Sequence, residues 1–546
     1  LSLDMSDKKS FKFIENADIK NKADIYIADG EIIAVSGDTV TVISDGELEK
    51  LLKDGGIKKR VHDFKNLSKK YSDIAGVRFD TMLAAYLCNP SASSYATDRI
   101  IAEYAPYEPE IEGETDEFIK SACLFSLACD TLENELEKTG QKKLFDEIEL
   151  PLARVLGEME LCGFSADVNG LKALSSELDT RIKSLESEIY SLVGYEFNLN
   201  SPKQLGVALF EKLGLPAKKK TKSGYSTGAE VLEGLKNEHP AVSLLLNYRQ
   251  LAKLKSTYAD GLQECIAEDG RIHSTFNQTE ARTGRISSLE PNLQNIPVRT
   301  AEGRRLREYF NAPAGRVLCD ADYSQIELRV LASMSGDANM INAFGSGTDI
   351  HTVTASQVFG LPQDMITPEL RSRAKAVNFG IVYGIGAFSL SKDIGVTRAE
   401  ADRYIKSYLA AYPGVAAYME KAIEDAKKNG YVTTLYGRRR YIPELSNSNG
   451  NMRAFGERVA RNAPIQGTAA DIIKIAMIKV SRSLKEEFPT ARLILQVHDE
   501  LIVECDERDA EGVCALLERE MESAADLAVR LTAEAHFGKT WLEAKA

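Results

Sequence analysis

Two apolar runs in this 546-residue chain each break on carboxylates, and few folds accommodate that pattern twice. Arg316-Val317-Leu318-Cys319 reads as a strand that ends in Asp320-Ala321-Asp322-Tyr323, after which Ser324-Gln325-Ile326-Glu327 opens an amphipathic helix. Asp322 thus falls at a strand end, where side chains commonly face a cleft. Further on, Leu493-Ile494-Leu495-Gln496-Val497 and Leu501-Ile502-Val503 flank His498-Asp499-Glu500, the pattern of a β-hairpin with acids at its bend. Carboxylates from two separate strands repel unless cations neutralise them, and oxygen donors suit Mg²⁺, which keeps water and substrate phosphate in its shell. Such a pair supports two-metal catalysis, with ions about 3.5–4 Å apart. Two plainer alternatives stay open at this point: each acidic cluster is a simple turn, and Ser324 with Glu327 is only a helix capping box.

A third segment, Leu370 to Gly384, begins after Thr367 and Pro368, a helix start with proline where its missing N–H costs nothing. Arg371, Lys375, Phe379 and Tyr383 recur every four residues and share one slowly rotating helix face. Two cations followed by two aromatics make a stripe able to hold a triphosphate at one end and stack a base at the other. A basic surface helix with core aromatics is the competing reading.

The length implies several domains on one polypeptide. No apolar stretch is long enough to span a bilayer, and the first twenty residues lack a secretory h-region. Eight scattered cysteines with no CxxC pair and no histidine at zinc-ligand spacing read as reduced, buried, cytosolic thiols. A net charge of −13 sits awkwardly with nucleic acid, yet basic clusters occur at Lys218, Lys219, Lys220 and Lys222, at Arg304, Arg305 and Arg307, and at Arg438, Arg439 and Arg440. Each is a phosphate contact or merely a solvated face. Residues 1 to about 145 read as a small α/β unit, with Asp29-Gly30 as a hairpin turn between Ile25–Ala28 and Glu31–Val35. Pro106 to Asp116 reads as a surface connection, and long amphipathic helices follow from Glu147, with a basic loop at 217–225.

DADYSQIELR at 320–329, RSRAKAVNFGIVYG at 371–384 and QVHDELIVE at 496–504 resemble, in order, the three polymerase motifs of family A DNA polymerases of the bacterial DNA polymerase I type. TGRISSLEPNLQNIPVR at 283–299 and ERVARNAPIQGTAADIIK at 457–474 extend the similarity over nearly everything from residue 147 onward. The resemblance implies an α/β multidomain chain: a right-hand polymerase fold of palm, fingers and thumb, preceded by an RNase H-like 3′–5′ exonuclease-type domain. The expected boundaries are 1–146 for the exonuclease-like domain, 147–282 for a helical thumb, 283–342 and 441–546 for the palm, and 343–440 for the fingers. It further implies that Asp322, Asp499 and the Tyr323 carbonyl bind two Mg²⁺ ions, with Mn²⁺ able to substitute and Glu500 close by. Arg371, Lys375 and His351 would contact the incoming triphosphate, with Lys375 a candidate general acid for the leaving pyrophosphate. Phe379 would pack on the sugar and base, Tyr383 would mark the template position, and Gln325 and Glu327 would line the sugar, Glu327 crowding the 2′ position. Arg285, Arg458, Asn462, Gln466 and His498 match positions that hold primer terminus and nascent minor groove. The implied activity is template-directed addition of deoxynucleotides to a primer 3′-hydroxyl by a bacterial, cytoplasmic, nucleoid-associated monomer serving DNA replication and repair.

The N-terminal region departs from the family's proofreading pattern. The expected Asp-x-Glu has only Asp29-Gly30-Glu31 as an echo, Leu67 stands where the next motif has an acid, and no Tyr lies four residues before Asp130. An inactive exonuclease-like domain is therefore expected, as is a chain without the 5′-nuclease domain that commonly precedes this region in the family. Glu327 argues against a single-subunit RNA polymerase, the depleted acids against a dedicated exonuclease, and the presence of both metal-site acids against a module that only binds DNA. Phe379, where some relatives have Tyr, implies poor use of dideoxynucleotides.

Overall fold

A computed structural model describes residues 9–113, 116–217, 220–221, 224–298 and 300–545. The basic loop residues Lys218, Lys219 and Lys222 lie outside the described residues. The chain divides into two compact units: one comprises residues up to Cys162 with Phe276–Ser288 and Cys319–His536, the other Gly163–Thr275, Leu289–Leu318 and the residues from Phe537 on.

In the first unit, seven strands form one sheet: β1 (Ser10–Phe13), β2 (Lys22–Ala28), β3 (Glu31–Ser36), β4 (Thr39–Val42), β5 (Lys58–Val61), β6 (Val77–Asp80) and β7 (Glu110–Glu112), in the order β6-β5-β2-β3-β4-β1-β7. The β2–β3 hairpin closes on the pair Ala28 and Glu31, with Asp29 at φ 50° and Gly30 at φ 87°. Both turn residues need positive φ, which Asp tolerates and Gly prefers. Within the stretch read as a surface connection, Glu110–Glu112 instead adds an edge strand parallel to β1. Helices α1 (Thr81–Cys88) and α2 (Glu117–Lys138) cover this sheet, and α3 (Leu150–Cys162) follows.

The second unit is built on α4 (Val168–Val193) and α5 (Pro240–Leu254), which pack together. Leu171, Leu174, Leu178, Ile182, Leu185, Ile189 and Val193 give α4 one continuous buried stripe. Asp167 caps its start by accepting from the Asn169 and Gly170 amides, and Gly194 at φ 91° ends it. Arg305 pairs with Glu177 at 2.8 Å, and Arg307 is buried with its guanidinium 4.2 Å from the Trp541 ring. That basic cluster is not simply a solvated face.

The remaining chain forms a four-stranded sheet from β8 (Arg316–Tyr323), β9 (Arg492–Val497), β10 (Glu500–Asp506) and β11 (Ala533–Gly538), in the order β9-β10-β8-β11. Its helices include α6 (Ile326–Ser335), α7 (Ile350–Phe359), α8 (Pro368–Val382), α9 (Pro413–Asn429), the 38-residue α10 (Gly450–Glu487) and α11 (Ala510–Glu522). Among the described residues no helix is long and apolar enough to cross a membrane. All eight cysteines are free; Cys88, Cys162 and Cys265 are only partly buried, which corrects the expectation of uniformly buried thiols.

Candidate active site

The two carboxylate segments meet at one end of the second sheet. Tyr323 donates its backbone N–H to the Asp499 carbonyl at 3.1 Å, tying the end of β8 to the β9–β10 turn. Asp322 and Asp499 are thus carried on adjoining backbone, which neither segment's sequence shows alone. Gln496 Nε2 donates to the His498 carbonyl at 2.6 Å, and His498 takes φ 52°, so a side chain fixes a tight turn. The Tyr323 hydroxyl is buried and donates to the Met521 carbonyl at 2.6 Å, so this residue offers a ligand its main chain and not its ring. Glu500 begins β10 opposite Val497 and is buried. The donor set is two carboxylates and a main-chain carbonyl, all hard oxygen, and it fits Mg²⁺ or Mn²⁺. Among the described residues no group of three or more His, Cys, Asp or Glu side chains could hold an ion by itself. Water and substrate phosphate would have to complete any shell here.

The capping box does not form. The Ser324 N–H goes to the Thr532 carbonyl at 2.9 Å, Gln325 precedes the helix at φ 56° without a side-chain cap, and Glu327 is drawn elsewhere. Arg285 Nη2 donates to Glu327 Oε1 at 2.6 Å. Glu327 Oε2 and Gln325 Oε1 are buried with no hydrogen-bond partner among the described residues. Burial, helped by the neighbouring Glu327 carboxylate, pushes the Tyr383 hydroxyl up to about 12.

On α8, Thr367 caps the start by accepting from the Leu370 amide, and Pro368 occupies the first turn. Phe379 and Tyr383 stack with ring centroids 6.4 Å apart, and Lys375 Nζ lies 6.0 Å from the Phe379 ring centre. Arg371 makes a bidentate pair with Asp349, Nε to Oδ2 at 2.9 Å and Nη2 to Oδ1 at 2.8 Å. Burial opposes ionisation of Asp349, but hydrogen bonds from Arg371 and Thr352 hold its carboxyl down at about 2. Asp349 also caps α7, which carries His351. His351 is fully buried, and burial, against the pull of Asp349, keeps its imidazole near pKa 4 and hence neutral. With the Asn378 amide assigned as donor to Nδ1 at 3.0 Å, the ring proton sits on Nε2, which is buried and has no partner among the described residues. Such an orphaned donor fits a phosphate oxygen. The sequence reading missed Asp349 and Asn378; the D-x-x-T cap signal at Asp349 and Thr352 was visible, but its arginine partner was not.

Arg458, Asn462 and Gln466 recur every four residues along one face of α10. Gly384, just past α8, packs against Arg458, and the Thr283 carbonyl lies against Gly467. That face therefore adjoins the end of α8, while another side of α10 meets the loop that carries Arg285. The Arg438–Arg440 cluster divides: Arg438 is buried among acids, while the Arg439 guanidinium lies 4.3 Å from the Tyr431 ring.

Residues 168–543 match DNA polymerase family A. The chain belongs to this family. Residues 15–114 of this family A chain match the ribonuclease H-like domain of DNA polymerase I. DNA polymerase I of Bacillus subtilis (strain 168) is 47% identical over 492 residues, covering 87% of this chain and 56% of that protein. That of Geobacillus stearothermophilus is 44% identical over 527 residues, covering 92% and 60% respectively. The chain thus spans somewhat over half the length of these relatives. The POL domain of Pol1 from M. smegmatis, solved in complex with DNA primer-template and dNTP, superposes with a TM-score of 0.88 at 39% identity over 96% of each chain. The family A fold with an RNase H-like domain is the fold class read from the sequence.

Acidic side chains in the N-terminal α/β part of this chain are taken up by structural contacts. Asp24 on β2 is buried in a bidentate pair with Arg60, both bonds at 2.6 Å, and accepts from the Ser126 hydroxyl. Asp130 pairs with Arg60 Nη1 at 2.6 Å. Asp80 caps α1, and burial pushes its carboxyl up to about 7.

Proposed function

We propose that this chain is a DNA-directed DNA polymerase that extends a primer on a DNA template with deoxynucleoside triphosphates, releasing pyrophosphate. The observation that carries the reading is the Tyr323–Asp499 backbone hydrogen bond, which brings two separate carboxylates to one sheet end. The likeness to a POL domain solved with primer-template and dNTP supports the same partners for this chain.

Asp322, Asp499 and the Tyr323 carbonyl would hold two Mg²⁺ ions, or Mn²⁺, with Glu500 close by. Bound there, the ions supply charge neutralisation and orientation for phosphoryl transfer. The chain's own residues do the rest. Arg371, Lys375 and His351 Nε2 bind triphosphate oxygens, Arg371 exchanging Asp349 for phosphate, and Lys375 is positioned to give a proton to the departing pyrophosphate. Phe379 packs on the sugar and base, and Tyr383 closes the template side. Gln325 and Glu327 line the sugar, where the buried carboxylate leaves no room for a 2′-hydroxyl. Arg285, Arg458, Asn462, Gln466 and His498 hold the primer terminus and the minor groove behind it. We assign 1–146 to the exonuclease-like domain, 147–282 to the thumb, 283–342 and 441–546 to the palm and 343–440 to the fingers. The engagement of Asp24 and Asp130 by a shared Arg60, and of Asp80 at a helix start, supports a chain without 3′–5′ proofreading.

The test is extension of a labelled primer on DNA with Mg²⁺, in lanes with deoxynucleotides, ribonucleotides or none. Extension with deoxynucleotides alone, lost in Asp499→Ala, is expected. Primer shortening without nucleotides would overturn the proofreading statement, and no extension at all would leave a chain that only binds DNA.

A further inference from the structure

The loop Gln278–Arg285 ends in the arginine that pairs with Glu327, and it is pinned from beneath along its whole length. At its start, Gln278 is buried and donates from Nε2 to Glu149 Oε2 at 2.9 Å and to the Glu149 carbonyl at 3.1 Å. At its middle, the hydroxyl of Tyr86, a residue of α1 that is 1% exposed, donates to the Ala281 carbonyl at 2.7 Å. Near its end, the Thr283 carbonyl would lie 3.2 Å from a Cβ on Gly467, so α10 closes that side. Gly284 takes φ +84°, and a Cβ there would fall 2.5 Å from Arg438 Nε. Only glycine leaves the space that the Arg438 guanidinium occupies against this backbone. Arg438 is itself fixed, donating to Asp471 Oδ1 from Nε at 2.8 Å and Nη2 at 2.6 Å and to Glu149 from Nη2, while Lys474 donates to the same Glu149 oxygen at 2.7 Å.

One of these pins comes from the ribonuclease H-like domain: Tyr86 lies within residues 15–114. We propose that Tyr86 is a positioning residue for sugar selection, its hydroxyl holding the loop that aims Arg285 at Glu327. The inference rests on the polymerase reading and assigns this domain a part in synthesis separate from any nuclease chemistry. A carboxylate that excludes a 2′-hydroxyl by close packing must stay put within a fraction of an ångström. Glu327 is held by the 2.6 Å bond from Arg285, and the Arg285 main chain is only as fixed as the loop below it. Loss of the Tyr86 hydroxyl leaves the Ala281 carbonyl to the loop's own Gly284 N–H, at 3.0 Å, which ties it to nothing outside the loop, and lets the arginine and its carboxylate drift.

The test compares wild type, Tyr86→Phe and Tyr190→Phe. Tyr190 also donates its hydroxyl to a main-chain carbonyl, that of Phe197 at 2.8 Å, but on an element outside the loop. For each, kcat/KM is measured for dCTP and for CTP opposite template dG, with the melting temperature alongside. Tyr86→Phe is expected to lower the dCTP-over-CTP preference about fivefold, the size of one lost hydrogen bond, while Tyr190→Phe leaves the preference unchanged. An unchanged preference in Tyr86→Phe, or an equal fall in both variants, overturns the inference while leaving the polymerase reading intact. A wild-type chain that extends no primer overturns both.

Discussion

Glu327 and Arg285 illustrate how much one carboxylate can carry. The acid is almost fully enclosed and the arginine side chain 45% exposed, so the bond both restrains Glu327 and compensates its enclosed charge. Replacing Glu327 by Ala removes the partner of Arg285 and, on the proposed function, the crowding at the sugar. Ribonucleotide use relative to deoxynucleotide is expected to rise at least about tenfold, with overall kcat/KM reduced, in single-nucleotide kinetics. An unchanged ratio would remove Glu327 as the discriminating group. His351 offers a second residue-level prediction. Its folded pKa near 4 lies below the ordinary 6.5, so between those values the unfolded chain binds the extra proton. The stabilising effect of a neutral His351 is complete above pH 6.5 and is lost as pH falls toward 4. Asp349, held near 2 against an ordinary 3.8, adds a further loss only at still lower pH. The melting temperature of wild type is expected to drop more between pH 7 and 5 than that of His351→Gln; parallel drops would exonerate the histidine.

Local signals in the chain translated into elements where the decisive contacts were themselves local. Asp29-Gly30 forms the turn that its dipeptide implies, and Thr367-Pro368 starts α8 because cap and fixed φ act within one turn. The failed capping box at Ser324 and Glu327 marks the limit. Sequence spacing permitted it, but a carbonyl at Thr532 and a guanidinium at Arg285, both distant in sequence, competed for the same groups. The Arg371–Asp349 pair and the edge strand at Glu110–Glu112 were illegible for the same reason. The Gln278–Arg285 loop has a local Gly284-to-Ala281 bond, but the contacts that fix its place are tertiary. Gly284→Ala there must strain a left-handed φ and displace a buried guanidinium, and we expect a loss of about 3 kcal/mol in denaturant unfolding. A loss below about 0.5 kcal/mol would show that the loop can shift freely.

Across the whole molecule, the network of Glu149, Arg438, Asp471 and Lys474 joins residues more than 280 positions apart within the first unit. Burial opposes the Glu149 charge, yet Lys474 and Arg438 hold its carboxyl at about 2. Glu149→Gln would leave two buried cations facing one acid and is expected to cost about 3 kcal/mol in unfolding experiments. No motif in the sequence announced this network, because charged residues read as surface until their partners are known. The three motif segments were legible one by one; the meeting of the two carboxylate segments at a single sheet end required the structure. That meeting is also where the central claim is most directly tested, by single-turnover primer extension at saturating deoxynucleotide with Asp322→Asn and Asp499→Asn, primer-template affinity being measured in parallel. The expected result is a fall of the chemical step by at least about a thousandfold in each variant with DNA affinity changed only a few-fold. A chemical step retained within tenfold in either variant would contradict the assignment of these two carboxylates to catalysis.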